Sequence, residues 1–193
     1  MNEIKIPDTK YPILSEIKNR WSARAFSEQP IAHDTLMQLF EAATWSFSAN
    51  NAQPWAYIYA HRADTTHFDK IADCLVPFNK NWADKAAVLI LALAQITTDD
   101  GSKNPWALHD LGAANMNMLT EATANNIVGH IMAGFDKDKA RTYFQLPEQY
   151  EPVAVIALGY WGDPNLLNDT LKMREFSPRT RKNIADVAFN GSL

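Results

Sequence analysis

Two long apolar runs in the chain predict buried strands. Residues 87–93 (AVLILAL) and 153–161 (VAVIALGYW) are almost continuously apolar, which is typical of strands covered on both faces of a sheet. A third segment, 55–60 (WAYIYA), is rich in aromatic residues and follows Pro54, so we predict a strand there too. The pattern therefore predicts one central sheet.

Apolar residues recur at helical spacing in three further segments, 11–19, 30–45 and 106–125. Pro30 marks the entry into the second segment. The third contains Gly112 followed by two alanines, so we expect another helix to approach it closely. Helices interleaved with strands predict a mixed α/β or α+β architecture. The apolar face of the second segment consists of Leu36, Leu39, Phe40 and Ala43.

The end of the chain differs from the rest in composition. Residues 164–193 are polar with only scattered apolar side chains, so they cannot form a core alone. This composition leaves two alternatives open, a solvated tail or an arm that packs on a partner subunit. No repeat or Pro/Gly/Ser-rich linker divides the chain, so we expect 1–163 and 164–193 to belong to one domain.

Composition limits the possible partners. The chain has 193 residues, of which 47% are hydrophobic and 21% charged, with a net charge of -4. That charge gives no sequence-wide attraction to nucleic acid or to an anionic membrane. The single cysteine, Cys74, fits a reducing compartment. The longest apolar run, 86–94, is too short to span a membrane and no signal peptide is visible. We therefore expect a cytoplasmic protein.

Several catalytic motifs are missing. The chain has no Gly-x-Gly and no Gly-x-Ser-x-Gly, which excludes a dinucleotide fingerprint, a P-loop and a nucleophile elbow. His61 and His67 lack a ligand pattern around them, so we predict no metal site. His109 and Asp110 could form a catalytic pair, but neighbours on a helix point in different directions. We therefore predict a helix-end or core role for them.

Two basic clusters are candidates for an anion site. Arg20 and Arg24 are four residues apart in RWSAR (20–24), and Arg179 and Arg181 lie in RTRK (179–182). Guanidinium groups bind phosphate in bidentate fashion, and an anion would remove the repulsion between them. From the residues alone, solvated patches and a shared anionic ligand both remain open.

Two loops are further candidates. Gly134 in HIMAGFD (130–136) would allow close approach of a flat ligand to the backbone, or would form a plain connecting turn. The stretch SANNAQPW (48–55) is rich in side-chain amides. There Asn50 and Gln53 could satisfy backbone groups between a helix and a strand.

Taken in order, seven segments of the chain resemble the nitroreductase family of FMN-dependent oxidoreductases. Each motif is weak alone, but the ordered set is specific and extends from about Ile13 to Phe189. The segments are RWSARAF, EAATWSFSANNAQPWAYI, PFNKNWADKAAVLILAL, DLGAANMNMLTEA, HIMAGFD, LPEQYEPVAVIALGY and PRTRK.

The resemblance implies an α+β fold with a central, mostly antiparallel sheet surrounded by helices. It also implies a homodimer in which residues 1–163 form the FMN-binding core and the C-terminal arms, 164–193, are exchanged. Two FMN sites would lie at the dimer interface, each built from both chains.

The resemblance further assigns residues to the cofactor. Arg24 would lie near the pyrimidine edge of the flavin, Asn79 would hydrogen-bond that ring, and the Gly134 N–H would face flavin N5. Reduced FMN carries negative charge at its pyrimidine end, so a fixed cation there stabilises it. The residues implied at the phosphate and ribityl chain are Arg20, Ser22, Arg179 and Arg181. Ala133 would lie beside Gly134 near N5, and Trp21 is a further implied cofactor contact. Those implied to reach across from the partner are Phe47, Ser48, Ala49 and Asn51.

The implied activity is hydride transfer from NADH or NADPH, through FMN, to a nitroaromatic, quinone or activated alkene by a ping-pong mechanism. The cofactor carries the chemistry, and no side chain is predicted to be catalytic. Two alternatives are an FMN enzyme that fragments flavin or removes halogen, and a non-catalytic flavin-binding protein. The chain departs from the family's usual Pro-Ser-Ser at Phe47, Ser48 and Ala49. Phe47 is therefore expected to narrow the pocket over the flavin.

Overall fold

The structure is a computed structural model that describes residues 3–98 and 100–192. Within these ranges it contains seven α-helices and four β-strands. The helices are α1 (Ser15–Asn19), α2 (His33–Thr44), α3 (Thr65–Cys74), α4 (Pro77–Ala83), α5 (Ala107–Ala124), α6 (Lys137–Phe144) and α7 (Asp169–Phe176). The strands are β1 (Trp55–His61), β2 (Val88–Gln95), β3 (Ile127–Met132) and β4 (Tyr150–Tyr160).

The four strands form one sheet in the order β1-β2-β4-β3, and each of these pairings is antiparallel. The predicted α+β fold is therefore confirmed. The two inner strands, β2 and β4, are buried almost throughout, as their continuous apolar sequences predicted. Successive side chains of a strand point to opposite faces. Leu89 and Leu91 thus enter one apolar core, whereas Val88 and Ile90 enter the other.

Helices cover both faces of the sheet. α2 and α5 pack on one face, and Leu36, Leu39 and Ala43 of α2 are fully buried there. These are three of the four residues predicted for the apolar face of this helix. The fourth, Phe40, is partly buried and packs on the rings of Tyr57 and Tyr59 of β1. α3, α4, α6 and α7 contribute to the core on the opposite face.

The first helix is shorter than predicted. α1 begins at Ser15 rather than at Tyr11, because the residue before a proline is disfavoured in helical conformation and Pro12 follows Tyr11. The apolar side chains predicted to stabilise this helix, Ile13, Leu14 and Ile17, are exposed on the chain.

The edge strand β3 was not predicted. Its sequence, IVGHIM, contains Gly129, and glycine weakens a strand pattern. A Cβ at Gly129 would lie 2.3 Å from Leu119 Cδ2 and 2.9 Å from Leu158 Cδ2, so close packing of α5 on the strand requires glycine. α2 packs against α5 as expected, and Ala114 is fully buried in the core that the two helices share. Gly112 takes no part in this contact within the chain, since a Cβ there would meet nothing within 4 Å.

The C-terminal segment divides at about Ser177. Before it, α7 packs on the chain's own core through Leu171 and Glu175, both buried. After it, residues 178–192 are almost entirely exposed, including the apolar side chains of Ile184, Val187 and Phe189. None of the described helices combines the length and hydropathy that a membrane crossing needs.

Candidate active site

Arginines from both ends of the chain meet beside α1. Arg20 is the C-cap of α1, and Arg179 Nη1 donates to the carbonyl oxygens of Lys18 at 2.6 Å and Lys5 at 3.0 Å. These bonds hold the C-terminal segment next to Arg20. Burial lowers the pKa of Arg20, and the nearby charge of Arg181 lowers it further. The structure thus brings together the two basic clusters of the sequence.

This arginine cluster, Arg20, Arg179 and Arg181, has a net positive charge that the chain does not neutralise nearby. The ion pairs found among residues 3–98 and 100–192 include none of the three. Burial and the other two guanidinium groups lower the pKa of Arg179, which shows that the three charges repel. Such a cluster is suited to binding a phosphate or another compact dianion.

Trp21 lies in the core under this cluster. Its ring is 5% exposed, and its centroid lies 6.1 Å from that of Trp161 in an edge-on arrangement. Lys5 Nζ lies 5.1 Å from the Trp21 ring centroid. The Trp21 ring therefore supports the loop that carries Arg20. Ser22 lies in the same loop, and none of the described hydrogen bonds uses its side chain.

A second group of polar side chains surrounds Arg24. The Arg24 guanidinium carbon lies 5.7 Å from the centroid of the Trp82 ring, and the His130 ring lies 4.6 Å from the same ring. Burial, and after it the charge of Arg24, lowers the pKa of His130 to about 4. The imidazole is therefore neutral at pH 7, with Nδ1–H donating to Ala23 O at 3.0 Å.

Two buried donors in this group have no acceptor. Within the described part of the chain, Arg24 Nε and Trp82 Nε1 make no hydrogen bond, although both atoms are inaccessible to water. Leaving a buried donor unpaired costs about 1–3 kcal/mol. A ligand rich in hydrogen-bond acceptors, placed beside Arg24 and Trp82, would remove this cost.

Asn79 lies one turn before Trp82 on α4 and contacts Gly134, which follows β3. Asn79 Nδ2 donates to Gly134 O at 3.1 Å, and a Cβ at Gly134 would come within 2.8 Å of that nitrogen. A side chain at this position would therefore displace the Asn79 amide from its hydrogen bond. Among the described backbone hydrogen bonds, none uses the Gly134 N–H, so this donor is available to a ligand. Ala133, the residue before Gly134, is exposed. Asn81, two residues after Asn79, is also exposed.

The loop at 47–51 occupies a different part of the chain. Ser48 Oγ accepts from the Gln53 N–H at 3.0 Å, so its hydroxyl oxygen holds the turn. The ring of Phe47 is 67% exposed. Asn50, Asn51 and Gln53 have left-handed backbone angles. Asparagine tolerates this conformation better than most residues, which explains the two asparagines in this loop.

Asp110 anchors this loop to α5. Its buried carboxylate accepts the Ala49 N–H at 3.0 Å through Oδ2, and Oδ1 lies 2.9 Å from His109 Nδ1. The expectation that these helix neighbours would not meet is wrong, because both lie in the first turn of α5, where the exposed imidazole can fold back onto the carboxylate. Asp110 is 2% exposed, which agrees with the structural role predicted for the pair.

The 47–51 loop and the arginine cluster lie at opposite ends of α5. Asp110 holds the loop at the start of the helix, whereas Arg20 lines a groove of about 230 Å³ together with Thr123 and Asn126 at its end. Thirteen residues separate Asp110 from Thr123 on α5, which is about 20 Å along the helix axis. A single chain therefore does not bring Phe47, Ser48, Ala49 and Asn51 to the arginine cluster.

Comparison with known proteins identifies the fold. The model of the family described as "Nitroreductase family" matches residues 17–160. The chain belongs to the nitroreductase family. The matched residues include β1 to β4 together with Arg20, Arg24, Asn79, Trp82 and Gly134, whereas Arg179 and Arg181 lie beyond them.

Three similar proteins extend this result. A protein of Mycolicibacterium smegmatis, described as a 15.4 kDa protein in the ask 5′ region, is 35% identical over 68% of this chain and 87% of its own. A Streptococcus pyogenes protein, provisionally named NAD(P)H nitroreductase, is 23% identical over 74% of this chain and 86% of its own. A crystal structure described as an oxidoreductase containing FMN is 31% identical, with a TM-score of 0.91 over 96% of this chain and 94% of its own.

The residues present fit FMN. The arginine cluster offers charge for a phosphate, and Arg24 Nε and Trp82 Nε1 offer donors for the acceptor-rich pyrimidine edge of a flavin. The Gly134 N–H offers a further donor, for flavin N5. Sequence reasoning did not place Trp82, His130 and Glu175 around Arg24. A lone histidine or glutamate carries no spacing signal, and only the tertiary structure reveals that these residues surround Arg24.

Proposed function

We propose that the protein is an FMN-dependent oxidoreductase that takes hydride from NADH or NADPH and passes it to a small oxidised acceptor in a ping-pong cycle. The convergence of Arg20, Arg179 and Arg181 without a neutralising carboxylate carries this proposal. A phosphate group is the natural counter-ion for such a cluster, and the FMN-containing relative supports the assignment.

The chain's residues bind and orient the cofactor, and bound FMN supplies two-electron redox chemistry. Arg20, Arg179 and Arg181 hold its phosphate. Arg24 stands at the pyrimidine edge, where its fixed charge favours the reduced, more negative form. The Gly134 N–H would face N5 of bound FMN, and the bond from Asn79 Nδ2 to Gly134 O keeps that loop in place.

The site is completed by a second copy of the chain. One face of α5 is apolar and exposed, with Leu108 at 55%, Gly112 one turn later and Met116 at 38%. The apolar side chains of residues 178–192 also lack cover within the chain. In the homodimer these surfaces are buried, the arm is exchanged, and the 47–51 loop of one chain reaches the flavin of the other.

The segment that follows β2 leaves room for only a modest lid. In its described part, the Thr98 N–H donates to Ser102 O at 2.9 Å and Gly101 has a φ of 83°. A site without a large lid would suit nitroaromatics, quinones and activated alkenes better than reactions that need enclosure.

An anaerobic flavin spectrum tests the proposal. The purified protein should show the absorbance of oxidised FMN, lose it on addition of NADH or NADPH, and regain it when a quinone or nitroaromatic is added. A double variant R20A/R181A, treated identically, is the control and should carry no FMN. Absence of FMN from the wild-type protein would refute the function, and FMN that neither donor reduces would leave only a binding role.

A further inference from the structure

Glu175 is a fully buried carboxylate that accepts hydrogen bonds from the backbone of the Arg24 loop. Its side chain is 0% exposed. Oε1 accepts the backbone N–H groups of Arg24 and Ala25, each at 3.1 Å, and the Trp161 indole N–H at 3.3 Å. Oε2 lies 3.3 Å from the backbone nitrogen of Arg24. A carboxylate is costly to bury, so its presence beside Arg24 requires explanation.

Two cations interact favourably with the Glu175 carboxylate. The first, Lys5, is buried and donates from Nζ to the carbonyl oxygens of Arg174, at 2.8 Å, and Ser177, which lie on either side of Glu175 in the sequence. Burial lowers the pKa of Lys5, and the charge of Glu175 opposes that shift. Burial also lowers the pKa of Arg24, again opposed by Glu175. Glu175 therefore offsets part of the positive charge of both Lys5 and Arg24.

We propose that Glu175 is a positioning and charge-balancing residue that limits how strongly Arg24 favours reduced over oxidised flavin. The inference rests on the proposed FMN site. The hydrogen bonds that Glu175 accepts from backbone N–H groups fix the position of the Arg24 backbone. The negative charge of Glu175 cancels part of the field that Arg24 exerts on the pyrimidine edge of the flavin.

The sign of the effect follows from electrostatics. A cation at the pyrimidine edge stabilises the reduced flavin, so it raises the midpoint potential. A buried anion behind that cation acts in the opposite direction, and the low dielectric of the interior screens it poorly. With Glu175 in place the bound flavin remains a better reductant, as an enzyme that must pass electrons onward requires.

The substitution Glu175→Gln separates charge from shape. Glutamine keeps an oxygen that can accept from Arg24, Ala25 and Trp161 at the Oε1 position, while the negative charge is removed. We expect the ratio of affinities for reduced over oxidised FMN to increase about tenfold, which corresponds to a rise of about 30 mV in the two-electron midpoint potential. The potential is measured on the FMN-loaded protein by reductive titration against a redox dye.

The matched control is Asp169→Asn, which makes the same charge change at an exposed position on the same helix and should leave the potential unchanged. Arg24→Gln should lower the potential, opposite in sign to E175Q. If E175Q does not fold because Lys5 is left buried beside it, comparing K5M/E175Q with K5M isolates the same charge in a chain without the lysine.

An unchanged or lowered potential in E175Q relative to D169N, or in K5M/E175Q relative to K5M, would overturn the inference while leaving the proposed function intact. Equal effects of E175Q and D169N would show that only the net charge of the protein matters. A wild-type chain that binds no FMN would overturn the proposed function and this inference together.

Discussion

Asp110 Oδ2 accepts the backbone N–H of Ala49 at 3.0 Å. Through this one bond, a buried carboxylate on α5 holds a loop in which Asn50, Asn51 and Gln53 all have positive φ. Such conformations cost free energy, of order 1–3 kcal/mol each, and persist only where the surroundings enforce them. In the proposed dimer this loop is the part of the chain offered to the partner's flavin.

Asp110→Ala should therefore release the loop. Hydrogen bonds to charged groups contribute about 1.5–3 kcal/mol, so we expect the free energy of unfolding to fall by about 2 kcal/mol in urea titrations. We also expect FMN to bind at least several-fold more weakly, as measured by quenching of flavin fluorescence. The control His109→Gln removes the imidazole and leaves the bond to Ala49. Equal FMN affinity in D110A and the wild type would show that the loop does not contribute to the site.

The arginine cluster should respond to inorganic phosphate. In the protein freed of FMN, phosphate should raise the melting temperature more than chloride at equal ionic strength, because it neutralises the repelling guanidinium groups of Arg20 and Arg181. In R20A/R181A this difference should vanish. The same variant should melt no lower than the wild type without phosphate, since it loses repulsion and no described ion pair.

Arg179→Ala provides the contrast. Arg179 donates to the Lys5 and Lys18 carbonyl oxygens, so its removal should lower the melting temperature even without phosphate. A phosphate response that persists in R20A/R181A would place the anion site elsewhere.

The two inner strands could be predicted from sequence because a strand that is buried on both faces consists almost entirely of apolar residues. At β2 and β4 the apolar runs give the strands directly. β3 could not be predicted in this way. Gly129 lowers strand propensity there, and the reason for it, contact with Leu119 and Leu158, lies in parts of the chain remote in sequence.

The candidate site also has features that the sequence predicts and features that only the fold reveals. The paired arginines at 20–24 and 179–181 are visible as clusters, but only the fold shows that bonds from Arg179 to the N-terminal segment bring them together. Glu175 is the clearest omission. It lies one turn after Leu171 on the buried face of α7, and a charged residue at such a position was the one available signal.

The lowered pKa of His130 predicts how the free energy of unfolding depends on pH. Its pKa is lowered to about 4 in the folded protein, whereas an unfolded histidine titrates near 6.5. Between these values the unfolded chain binds a proton that the folded chain does not, so stability is lost as the pH falls from about 6.5 to about 4. We expect this group to remove about 2 kcal/mol between pH 7.5 and pH 5. His130→Gln should lose correspondingly less in urea titrations at the two pH values; an equal loss would contradict the assignment.

The exposed face of α5 predicts the assembly. Met116 is 38% exposed one turn after Gly112, and a charge there would be buried without a partner in the proposed dimer. Met116→Glu should therefore sediment as a monomer at concentrations where the wild type is a dimer. It should also bind FMN more weakly, because the partner's 47–51 loop is lost. Thr66→Glu, on the exposed side of α3, is the matched control and should remain dimeric. A dimeric M116E protein would exclude this face as the interface, and a monomer with full FMN affinity would show that one chain forms the site alone.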